Sequence, residues 1–145
     1  MKQLVVFIIC FSSCNFIAAQ PLSNFNVAEK PAGTGNTYAL IIGIANYLDP
    51  EVPQLQFANR DADIFADFLQ SKSGGSVPKE NIRLLVDSAA TTGAVYDAVY
   101  WLKNICNKDD IVYFYFSGHG DLENVTMYNN GFLICYDSPP FNYVK

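Results

Sequence analysis

Hydrophobic residues along this chain alternate between two kinds of pattern, short unbroken runs and longer stripes with three- and four-residue steps. Tyr38 to Ile44 and Ile111 to Phe116 are unbroken apolar runs, and Ile82 to Val86 is a shorter one. Runs of this length read as strands buried on both faces. Between the first and second runs, Phe57, Ala58, Ala62, Phe65, Phe68 and Leu69 recur at helical spacing, and Ser73-Gly74-Gly75 ends the stripe. Between the second and third, Thr91-Thr92 has the chemistry of a helix start, and Val95, Ala98, Val99, Leu102, Ile105 and Cys106 line one face. A last apolar run, Gly131 to Tyr136, follows a polar loop and is broken by Asp137-Ser138-Pro139-Pro140. Strand, helix, strand, helix, strand, strand predicts an α/β fold, a mostly parallel central sheet flanked by helices on both faces.

The third run carries the candidate chemistry. It is expected to stop at Ser117-Gly118, where the backbone turns, and the next residue, His119, is the only histidine of the chain. In an open parallel sheet, ligands and catalytic groups gather beyond the carboxyl ends of the strands. An imidazole flanked by Gly118 and Gly120 at such a place is expected to lie open to a substrate. Read alone, a lone His is equally a turn residue bonded to a neighbouring carbonyl. If the first and third strands lie side by side, the loop after Gly43 and the segment Ser117 to Asp121 share one crevice. Asp61, near the start of the first helix, is then able to point into it.

Composition bounds the rest. The chain has 145 residues with a formal net charge of -5, and half of it is hydrophobic, so it builds a core and carries no basic patch for nucleic acid. Met1-Lys2, the apolar Leu4 to Phe11 and the small pair Ala18-Ala19 have the three regions of a secretory signal peptide. Residues 1–20 are therefore expected to be a signal peptide, 21–36 a polar leader, and 37–145 the domain, with a secreted, periplasmic or cell-surface location. Ser12, Ser13 and Asn15 interrupt the apolar run before it reaches spanning length, so no stable membrane span is expected. Cleavage would leave Cys106 and Cys135, both in apolar patterns that suit packed thiols. One His and two Cys make no metal-ligand set, and no cofactor signature is present.

The block Tyr38-Ala-Leu-Ile-Ile-Gly-Ile-Ala-Asn-Tyr47, then Leu55-Gln-Phe-Ala-Asn-Arg-Asp-Ala-Asp63, Phe116-Ser-Gly-His-Gly-Asp121 and Gly131-Phe-Leu-Ile-Cys-Tyr-Asp137 resembles the caspase/metacaspase-like cysteine peptidases. The resemblance implies a caspase-like three-layer sandwich and hydrolysis of polypeptide substrates by a His/Cys dyad. It places the catalytic His on His119 and an oxyanion-holding backbone amide on Gly120. It places on Asp61 an acid that, in metacaspase-like members, helps form a pocket for Arg or Lys. The family's nucleophilic Cys follows its His by about 50 residues, and Lys145 comes before that point. The fold is therefore expected to be C-terminally incomplete, its nucleophile lying beyond this sequence, and these residues alone are expected to be inactive. The alternative is a caspase-like binding or regulatory module without a nucleophile. A flavodoxin-like site would need a glycine-rich loop after the first strand, and Gly43-Ile-Ala-Asn46 lacks one.

Overall fold

A computed structural model describes residues 4–11 (backbone only), 35–122 and 131–139. Its elements are β1 (Leu4–Phe11), β2 (Thr37–Gly43), α1 (Ala58–Gln70), β3 (Ile82–Val86), α2 (Thr92–Ile105), β4 (Ile111–Leu122) and β5 (Gly131–Leu133). The sheet runs β1-β4-β2-β3, with β5 paired to the far end of β4. β2 lies parallel to both β3 and β4, whereas β1 and β5 are antiparallel to β4. The parallel part of the sheet and its two crossover helices match the α/β expectation.

The period of two along β2 sorts its side chains between two cores. Tyr38, Leu40 and Ile42 pack with Ala98, Leu102 and Phe116 on the α2 face. Ala39 and Ile41 pack with Ala62, Ala66, Leu69 and Tyr115 on the α1 face. The result is three layers, helix, sheet and helix. Leu40, Ile41, Ile42, Leu69 and Phe116 are fully buried, and each contributes roughly 1.5–3 kcal/mol by leaving water. The small residues Ala58, Ala62 and Ala66 form the buried edge of α1. They let the helix come so close that a Cβ on Gly43 would sit 2.4 Å from the Ala62 methyl carbon. Thr91 caps α2, its side chain accepting the Ala94 N–H at 3.1 Å, as its sequence position predicts.

Two expectations need correction. β4 does not turn at Ser117-Gly118 but runs straight on to Leu122. Gly118 serves close approach instead: a Cβ there would meet the Phe116 ring at 2.8 Å and the Tyr47 hydroxyl at 2.9 Å. The last apolar run is a strand only over Gly131–Leu133, after which Ile134 and Cys135 continue as buried coil. Leu4–Phe11 is the edge strand β1, in register with Val112–His119 of β4. The expected cleavage point near Ala19 and the leader to Thr34 lie outside the described residues. So do 123–130 and 140–145. Among the described residues no helix is long and apolar enough to cross a membrane.

Candidate functional site

The site forms where the carboxyl ends of β2 and β4 meet. Gly43 pairs with Ser117, and the Ile44 N–H donates to the Ser117 carbonyl at 2.9 Å. This contact carries the chain leaving β2 directly past His119. The following loop grips His119 twice. Tyr47 Oη accepts the His119 backbone N–H at 2.7 Å. The Pro53 carbonyl lies 2.7 Å from His119 Nε2. The Tyr47 ring also tilts over the imidazole, with centroids 5.3 Å apart.

A carbonyl oxygen only accepts, so the short contact to Pro53 requires the proton on Nε2. In the neutral ring that leaves the lone pair on Nδ1. Nδ1 is buried and has no hydrogen-bond partner among the described residues. An unpaired buried acceptor on an imidazole is costly, and such costs gather at functional sites. Neither reading of the lone His prevails over the other. The ring does bond a carbonyl, and the same bond leaves its other nitrogen as the acceptor.

The expected openness of His119 is corrected. The residue is 4% exposed. Gly118 lets neighbouring groups press in rather than leave the ring free: it admits the Tyr47 hydroxyl, and the Tyr47 ring lies tilted against the imidazole. Burial in turn pushes the Tyr47 phenol up to about 12, helped by the nearby Cys135 and Asp87, while the bond to the His119 amide pulls the other way.

Peptide directions alternate along a strand, and this fixes where the Gly120 amide points. The His119 carbonyl accepts the Ile134 N–H at 2.9 Å, on the side of β4 where β2 and β5 lie. The Gly120 N–H is therefore aimed at the opposite edge, past the Leu4–His119 pair that ends the described register of β1.

Asp61 is exposed on the first turn of α1, its N–H donating to the Phe57 carbonyl at 2.8 Å. Its charge reaches Tyr115 of β4, whose phenol is raised first by burial and then by Asp61. A cleft of about 330 Å³ opens beside the Tyr47 loop, lined by Leu48, Asp49, Pro50, Asp137, Ser138 and Pro139. It touches neither His119 nor Asp61.

Cys106 and Cys135 are both free. Cys135 is buried, and burial pushes its thiol up, partly offset by hydrogen bonds from Thr92 and Ser138. Cys106 follows α2 at the opposite end of the sheet from His119, and burial and Asp110 raise it too. A raised thiol is a poor source of thiolate.

Tyr47, Pro53 and Asp87 are the residues that sequence reasoning missed. Pro53 acts through a backbone carbonyl, which no side-chain pattern reveals. Tyr47 lies in the block of family resemblance with no role attached to it, and Asp87 carries no signal of its own in the sequence.

Residues 36–145 match the caspase-domain family. The chain is also similar to metacaspase-1A of Aspergillus oryzae, 34% identical over 95 residues. That match covers 61% of this chain and 22% of the fungal protein, so the chain spans about a fifth of the relative's length.

Proposed function

This chain belongs to the caspase-domain family, and on that premise we propose that it forms the histidine-bearing part of a cysteine endopeptidase of metacaspase type. The observation that carries the reading is the imidazole, held by Nε2–H to the Pro53 carbonyl with the Nδ1 lone pair unpartnered among the described residues. Nδ1 takes the proton of a cysteine thiol supplied by sequence beyond Lys145. The thiolate attacks the scissile carbonyl, whose π electrons become an oxyanion. The Gly120 N–H donates to that oxyanion. The imidazolium keeps Nε2–H on Pro53, returns its Nδ1 proton to the leaving amine, and water then hydrolyses the thioester. Asp61 pairs with an Arg or Lys side chain of the substrate before the scissile bond. Nδ1 is buried, so it must be uncovered before it meets a thiol. Leu4–Phe11 directs export, and removal of residues 1–20 frees the outer edge of β4.

The test uses the protein encoded by the whole reading frame that contains these residues, assayed on peptides with Arg or Lys at the cleavage position. Thiol-sensitive cleavage lost in His119→Ala supports the reading, and Asp61→Asn should raise KM for the basic substrates. Cleavage that survives His119→Ala excludes it. A second reading, a caspase-like binding module without catalysis, is favoured by the enclosure of His119. A stop codon directly after Lys145 and no cleavage in any variant would select it.

A further inference from the structure

We propose that Asp87 is a positioning residue for His119, setting the imidazole's tautomer through the loop that leaves β2. This rests on the reading of His119 as the base and adds a residue that acts on it from outside. Asp87 has φ +46°, in the left-handed region. Asp tolerates that region better than most residues, because its short side chain bonds locally. Its carboxylate collects four donors. Oδ1 accepts the Ala45 N–H at 2.8 Å and the Asn46 N–H at 3.0 Å. Oδ2 accepts Asn46 Nδ2 at 3.2 Å and, from α1, Asn59 Nδ2 at 2.9 Å. Burial pushes this carboxyl up, but the four hydrogen bonds outweigh it and hold it below its ordinary value.

The two residues it pins start both grips on His119. Asn46 is followed at once by Tyr47, whose hydroxyl and ring hold the imidazole. The Ala45 carbonyl accepts the Leu55 N–H at 2.8 Å, which closes the loop and fixes the strand of chain that presents the Pro53 carbonyl. With Ala45–Asn46 clamped from one side by Asp87 and from the other by Leu55, Tyr47 and Pro53 are held at fixed separation around the ring. Release of the clamp lets Pro53 drift from Nε2, and the proton then redistributes between the two ring nitrogens. No other charged side chain bonds these amides among the described contacts.

His119 is the only histidine, so histidine-selective ¹⁵N labelling of the full chain gives one imidazole, and its two nitrogen shifts read the tautomer directly. Asp87→Asn keeps the shape and the tolerance for left-handed backbone but removes the charge. We expect the ratio of Nε2–H to Nδ1–H forms to fall about tenfold, equivalent to about 1.4 kcal/mol. Ala98→Gly in α2, a remote change of similar cost, should leave the ratio alone. An unchanged ratio in folded Asp87→Asn overturns the proposal, as does an equal change in Ala98→Gly. If Asp87→Asn does not fold, Asn59→Ala decides, because it removes one donor from outside the loop. A fall in the ratio supports the role, and no change overturns it. The readout does not involve cleavage, so failure of the peptidase reading and failure of this proposal are separate results.

Discussion

Replacing Tyr47 with Phe removes one oxygen and keeps the ring. The structure assigns that oxygen a definite task, accepting the His119 amide at 2.7 Å in a place where water does not reach. Without it a buried N–H is left unpaired, at a cost of about 1–3 kcal/mol. A second effect has the opposite sign at high pH. The folded phenol is raised from 10.0 to about 12, so the fold prefers the protonated form. Its contribution is complete below pH 10 and is lost as pH rises from 10 to about 12, because the unfolded chain ionises first. Two units amount to at most about 2.7 kcal/mol. Phe cannot ionise, so the variant escapes this loss. Urea unfolding of the two proteins should show wild type ahead by about 1–3 kcal/mol at neutral pH. The gap should shrink by about 1.4 kcal/mol near pH 11. Other ionising groups, Tyr115 and the cysteines included, are common to both proteins and cancel in the difference. Equal stability at neutral pH, or a gap that does not narrow in alkali, refutes the assigned role of the hydroxyl.

Further outcomes follow from the same contacts. Gly118→Ala should destabilise by about 1–3 kcal/mol, because the new methyl meets both the Phe116 ring and the Tyr47 hydroxyl; thermal unfolding measures it, and an unchanged Tm contradicts it. Cys106 should react with a thiol reagent before Cys135 in the native protein, and both together once it is unfolded, since Cys135 is the more deeply buried; mass mapping of the adducts reports the order. On the acid side, Asp87 is held below its ordinary 3.8, so its contribution is present above that value and lost as pH falls through the lowered one. Asp87→Asn should therefore flatten the acid limb of stability against pH, and a limb as steep as wild type argues against the four bonds.

Much of the fold was legible because burial imposes simple periods. Tyr38 to Ile44 had to be a buried strand, since no surface position tolerates so continuous an apolar run, and the α1 and α2 stripes announced one buried face each. The ends of strands were less legible. Ser117-Gly118 looks like a turn when glycine is judged by its freedom alone, yet here its missing side chain makes room for Tyr47. Leu4 to Phe11 fits a leader and an edge strand equally well by hydrophobicity, and the pairing with β4 is a non-local fact. Of the site, His119 stood out by position and rarity. Its partners did not, because one is a backbone carbonyl, one a loop phenol, and Asp87 works through amides far along the chain.

The central claim is that His119 carries its proton on Nε2, against Pro53, and keeps Nδ1 free to take one. The ¹⁵N spectrum of the single imidazole in the folded wild-type chain, recorded at a pH where the ring is neutral, measures this without any substrate. The account predicts one protonated nitrogen assigned to Nε2 and one unprotonated nitrogen assigned to Nδ1. A spectrum with the proton on Nδ1, or with the two forms equally populated, would contradict it.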